Sequence, residues 1–133
     1  MVTAGRRLAA TAAAALALAG TACTAEHPVA PKPTAVLAPA VTGGVQVFHL
    51  IGQANLRFSA ATLDAQPGKI RVDFTVEDGS ASHNLVIPRI PGARTDIVGA
   101  GVTRSVSFTV TAPGDYPMIC TLHPNMSATL HVA

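Results

Sequence analysis

The stretch Lys69-Ile-Arg-Val-Asp-Phe-Thr-Val-Glu77 decides the fold class. Ile70, Val72, Phe74 and Val76 alternate one for one with Arg71, Asp73, Thr75 and Glu77. A period of two sends the apolar set to one side of an extended chain and the polar set to the other. This is a strand with one face in a core and one in water. Working outward, residues 104–114 repeat the pattern, with Val106, Phe108 and Val110 set between Ser and Thr. Further strands are expected over residues 45–51, 55–58, 83–87, 115–120 and 128–132. Proline and glycine mark the turns between them, at Gln66-Pro67-Gly68, Asp78-Gly79, Pro91-Gly92 and Pro113-Gly114. Residues 89–103 carry no clear pattern, and no stretch sustains a helical period. About seven or eight short strands separated by turns predict an all-β fold, an antiparallel Greek-key β-sandwich or barrel.

Further out lies a different kind of sequence. Arg6 and Arg7 precede an uncharged Ala/Leu run from Leu8 to Gly20, then small residues and Cys23. The run is shorter than the ~20 residues a membrane span needs and reads as a secretion signal. The small residues before Cys23 match a bacterial lipobox, with Gly20 in the place where Leu is usual. Residues 1–22 are therefore expected to be a lipoprotein-type signal peptide and Cys23 the lipidated first residue. A plain signal peptide or a twin-arginine signal are the other readings, the latter a poor fit to the residues around Arg6 and Arg7. Residues 24–42 contain Pro28, Pro31, Pro33 and Pro39 among Ala and Thr and read as a linker. Flexible, it would reach on the order of 25 Å; as polyproline, about 60 Å. The folded domain is then expected over residues 43–133, a size with one core.

Charge narrows the partners. Nine Lys and Arg face seven Asp and Glu over the whole chain. Loss of Arg6 and Arg7 with the signal balances the two signs. No basic stripe remains for nucleic acid.

The chemistry concentrates near the C-terminus, in Cys120-Thr-Leu-His-Pro-Asn-Met126. A lone core thiol in an oxidising compartment needs a reason. It is a buried inert residue, a nucleophile paired with His123, or a metal thiolate. The nucleophile lacks an evident third, orienting group. Strand alternation favours the thiolate. Tyr116, Met118 and Cys120 share one face, so the thiol points into the upper core if Tyr116 does. His123 and Met126 follow on a turn that Pro124 restricts. Met118 shares the thiol's face but reads as core packing. Of the remaining histidines, His27 belongs to the linker, and His49 and His131 read as packed or surface residues of strands. His83 opens a strand after an acidic turn, at the rim of the sandwich, which leaves it open as a ligand or a rim residue.

These residues resemble the cupredoxins, the type 1 blue copper proteins such as amicyanin and plastocyanin. The amicyanin ligand loop has Cys-x2-His-x2-Met with proline after the histidine, as Cys120, His123, Pro124 and Met126 stand here. His83-Asn84 after Glu77-Asp78 matches the family's upstream histidine, and "APGDYPMIC" matches its Pro-Gly-x-Tyr approach to the cysteine. The resemblance covers roughly residues 45–132. Ser59, Leu122, Asn125 and Ala128 depart from the family pattern, and none is at a ligand position.

The resemblance implies a cupredoxin-type fold and one type 1 copper ion held by His83, Cys120, His123 and Met126. Two His and a Cys with a weak axial Met form a blue-copper electron-transfer site. It implies a hydrogen-bond link between Asn84 and Thr121 that pins the two ligand segments. It also implies electron exit at the His123 ring edge, through an apolar surface with Leu122 and Pro124, to transient redox protein partners. Four protein ligands leave no open position for a substrate, so no enzyme is expected. The whole reading is a monomeric electron carrier, lipid-anchored to the membrane of a bacterial cell envelope on the extracytoplasmic side. A copper-delivery protein on the same fold and a metal-free β-sandwich interaction module are the alternatives.

Overall fold

The structure is a computed structural model that describes residues 33–133. The expected signal peptide, Cys23 and His27 lie outside the described residues. Eight strands form two four-stranded sheets: β1 (Val36–Leu37), β2 (Ala40–Thr42), β3 (Val45–Gly52), β4 (Thr62–Ala65), β5 (Gly68–Val76), β6 (Thr103–Val110), β7 (Gly114–Ile119) and β8 (Ser127–Val132). One sheet runs β1-β4-β8-β7 and the other β2-β3-β5-β6. The fold is all-β, as expected from the alternation.

The alternation maps onto the core directly. In β5, Ile70, Val72, Phe74 and Val76 are buried, while Lys69 and Arg71 are exposed and Asp73 and Thr75 half-buried. Facing them from the other sheet are Leu63, Tyr116, Met118, Leu130 and Val132. Tyr116 and Met118 lie in the core, and the Tyr116 hydroxyl donates to the Ala112 carbonyl at 2.6 Å. At the end far from Cys120, Gln46 is buried and fully used: it donates to the Gln66 carbonyl and accepts from the Gln66 N–H.

The structure departs from the sequence reading in four places. First, the sheets are mixed. β3–β5, β1–β4 and β4–β8 pair in parallel, because the chain crosses from one sheet to the other between β3 and β4 and again between β4 and β5. Second, residues 36–42 are not linker. β1 adds to β4 in one sheet and β2 adds to β3 in the other, so the stretch around Pro39 steps across the sandwich. Proline is tolerated there because it lies between edge strands and owes no ladder hydrogen bond.

Third, residues 55–58 are not a strand. Gln53 N–H bonds the Arg57 carbonyl and Leu56 N–H bonds the Gln53 carbonyl, which closes a tight turn with Leu56 at φ 60°. The strand is β4, whose signal is muted because alanine flanks Leu63 on its buried face. Fourth, residues 83–87 make isolated bridges instead of a continuous strand. Val86 exchanges both backbone hydrogen bonds with Ile119, while His83 exchanges both with Val98 on the other side. Leu85 N–H turns to the Thr95 hydroxyl, so neither ladder continues. Those Val86–Ile119 bonds set the His83 segment beside the end of β7, where Cys120 follows.

Candidate metal centre

Strand β7 carries Met118 and, just beyond its end, Cys120 into the core face; Cys120 is 5% exposed. The chain then turns through Thr121–Asn125 and re-enters as β8. Cys120 N–H bonds the Met126 carbonyl at 3.1 Å and Met126 N–H bonds the His123 carbonyl at 3.3 Å, which closes the loop on itself. Met126 is buried, and His123 is half-buried. Asn125 takes φ 69°, a left-handed conformation that Asn tolerates better than most residues.

His83 arrives from 37 residues upstream and is fully buried. The Nδ1 atoms of His83 and His123 are 3.1 Å apart. Cys120 Sγ lies 3.6 Å from His123 Nδ1 and 4.0 Å from His83 Nδ1. Among the described residues this is the one group of His, Cys, Asp or Glu side chains that converges in this way. Three donors sharing a first-row ion at about 2.0–2.3 Å in a plane lie roughly 3.5 Å from one another. The observed separations bracket that value, so the three side chains fit one ion between them.

The surroundings prepare His83 as a ligand. Its Nε2 lies 3.1 Å from the Gln53 carbonyl oxygen and 2.9 Å from Ser80 Oγ. A carbonyl accepts and does not donate, so Nε2 carries the proton and Nδ1 turns a lone pair toward the thiol. Burial pushes the imidazole below its ordinary pKa, and the neighbouring His123 pushes the same way, against the Gln53 carbonyl. A neutral imidazole is the form that binds metal. Gly52 makes room for the ring: a Cβ there would lie 2.9 Å from His83 Cδ2 and 2.9 Å from Phe74 Cζ. Glycine inside a strand marks this kind of close approach.

Two ligand segments are tied across the centre. Asn84 Nδ2 donates to Thr121 Oγ1, and Thr121 N–H donates to Asn84 Oδ1, each at 2.8 Å. His49 and His131 point out of their sheets, beside Asp73 and Asp115 respectively, and take no part.

No family model matches the chain, and no curated protein matches it in sequence. Solved structures do match in shape. The metal-binding domain of the Cu(I)-exporting P-type ATPase CopA of Streptococcus pneumoniae D39 superposes with a TM-score of 0.63 at 17% identity, over 75% of this chain and 97% of that one. Auracyanin A, a "blue" copper protein of Chloroflexus aurantiacus, gives 0.60 at 20% identity, over 68% and 100%. Reduced auracyanin from Roseiflexus castenholzii gives 0.56 at 21%, over 65% and 96%.

The fold is that of the cupredoxins.

Identities this low establish the shape alone; the chemistry rests on this chain's own side chains. Within the cupredoxin fold, two imidazoles, a thiolate and a nearby thioether are the donor set that suits copper in both of its common oxidation states. Zinc accepts the nitrogens and the thiolate but gains little from a thioether. The sequence reading missed Gly52, Gln53 and Ser80. Gln53 acts through its backbone carbonyl, which any residue type supplies. Gly52, the glycine that closes the mostly apolar strand β3, was the one signal available.

Proposed function

We propose that this protein is a small copper carrier that passes single electrons between redox partners. The observation that carries the proposal is the buried meeting of His83, Cys120 and His123 under a loop closed by Met126. These residues would hold one copper ion, and the ion would supply the one-electron couple. The protein's own part is to keep the donors in place while the charge changes. The Gln53 carbonyl orients His83, the Asn84–Thr121 pair ties two ligand segments, and the fully buried His83 excludes water from one side. Four protein side chains leave no vacancy for a substrate, which favours transfer over catalysis.

The docking surface would surround His123, the ligand that is not fully buried. Leu122 is 41% exposed, and Pro124 beside it is exposed as well. A small apolar rim suits the brief encounters of redox proteins. Lipidation at Cys23 would hold the carrier at a bacterial membrane on the extracytoplasmic side.

The test is a visible spectrum of the whole chain carrying Cys23→Ser, after one equivalent of Cu(II). An intense thiolate-to-copper band, absent in Cys120→Ser, is expected, together with a reversible one-electron wave in voltammetry. A protein that folds and stays colourless would end the copper reading. A second reading is copper delivery, favoured by the similarity to the CopA domain. It predicts fast surrender of Cu(I) to a chelator and no reversible wave. Burial of His83, Cys120 and Met126 favours retention over release.

A further inference from the structure

The turn Gln53–Arg57 touches the centre from two directions. Its first residue offers the carbonyl that orients His83. Its last residue reaches the other side: Arg57 Nη1 donates to the Asn125 carbonyl at 2.8 Å. Asn125 sits in the left-handed region and immediately precedes Met126. The turn itself is held hard. The Gln53–Arg57 and Leu56–Gln53 backbone bonds close it, Ala54 N–H bonds Glu77 Oε2 at 2.7 Å, and Glu77 N–H bonds the Gly52 carbonyl.

The loop it reaches needs holding. Thr121, Leu122, Pro124 and Asn125 are all exposed, and of the loop's two closing bonds the one inside the His123–Met126 segment, Met126 N–H to the His123 carbonyl, is the longer at 3.3 Å, against 3.1 Å for Cys120 N–H to the Met126 carbonyl. Asn84 ties the loop's start. Arg57 ties its far side, with a charged donor on a carbonyl, a stronger bond than a neutral one.

We infer that Arg57 is a positioning residue of the metal centre: it locks the His123–Met126 segment to the same rigid turn that orients His83. The ligands from two distant parts of the chain then share one frame. The effect of Arg57 on copper rests on the copper reading; its effect on the loop does not.

The experiment compares the whole chain carrying Cys23→Ser with Arg57→Ala and Arg57→Lys added. Without metal, Cys120 is the single thiol, and its rate of alkylation by iodoacetamide reports loop opening. Arg57→Ala is expected to raise that rate about tenfold with little change in Tm, and Arg57→Lys to raise it less. With Cu(II), the thiolate band and the EPR hyperfine splitting should shift in Arg57→Ala. An unchanged alkylation rate overturns the inference. So does a faster rate that merely tracks a lowered Tm with an unshifted band, because Arg57 is then an ordinary stabilising contact. If the parent forms no copper band, the copper reading fails, and the alkylation rates at equal Tm still decide whether Arg57 holds the loop.

Discussion

Asn84 and Thr121 hold each other twice, side chain to side chain and backbone to side chain, each bond 2.8 Å long. Asn84 is 4% exposed, and the residues on either side of this link are His83 and Cys120. One amide thus sets the distance between two ligand segments that are 37 residues apart in the chain. Replacing it by Ala removes both bonds and leaves the Thr121 N–H to find water. The expected loss is about 2 kcal/mol, from two hydrogen bonds at ~1 kcal/mol each. Thermal or urea unfolding of the metal-free protein measures it. A parallel broadening of the copper band would report the loosened link.

Gly52→Ala should damage the centre by overpacking. The new methyl would stand 2.9 Å from both the His83 ring and the Phe74 ring, closer than carbon atoms approach in a folded core. Both rings are fully buried and cannot swing away. A cost of about 1–3 kcal/mol is expected, with weaker copper retention because the imidazole is the softer neighbour. Competition against a chelator measures the retention, and unchanged affinity in a stably folded variant would refute the close-packing account.

The metal-free protein should lose stability at both ends of the pH range, for opposite reasons. Burial works to raise the Asp73 carboxyl, but the Ser105 hydroxyl at 2.6 Å and the two-pronged Arg71 guanidinium outweigh it and leave it below its ordinary 3.8. Its contribution is complete above the unfolded value and fades as pH falls through the lower folded value. The hydrogen bond to Asp115 raises His131 above 6.5, against burial, with help from the Asp115 and Asp64 charges. That contribution is complete below 6.5 and fades as pH rises through the higher folded value. Urea unfolding across pH 3 to 9 should show a shallower acid slope in Asp73→Asn and a shallower alkaline slope in His131→Gln.

Removal of residues 1–42 should destabilise the domain, although the sequence places the folded domain at residues 43–133. The cut takes away β1 and β2, uncovers Leu37's place against the core, and bares the edges of β4 and β3. Loss of one half-buried leucine and several ladder bonds amounts to roughly 2–4 kcal/mol. Newly bared edges also invite pairing between chains. A chain that starts at Gly43 should melt earlier than one that starts at Pro33 and aggregate more readily in size-exclusion chromatography.

The sequence by itself determined what short-range geometry controls. Alternation at Ile70–Val76 is a property of neighbouring residues, so it named the strand, its buried face and the all-β class. Cys120, His123 and Met126 lie within one turn of covalent chain, so their spacing alone bound them into one loop. His83 was legible as a rim residue after an acidic turn, and the cupredoxin resemblance singled it out as the ligand.

Tertiary structure decided the rest. Parallel pairing of β3 with β5, and the placement of β1 and β2 on two different sheets, depend on where distant strands land, which local periodicity does not encode. The tautomer of His83 depends on a backbone carbonyl, and backbone carbonyls carry no residue-type signature. Room for its ring depends on an absent side chain at Gly52, and the hold on Asn125 depends on a guanidinium 68 residues away. Ligand identity is written in side chains; ligand orientation is set by whatever the fold packs around them.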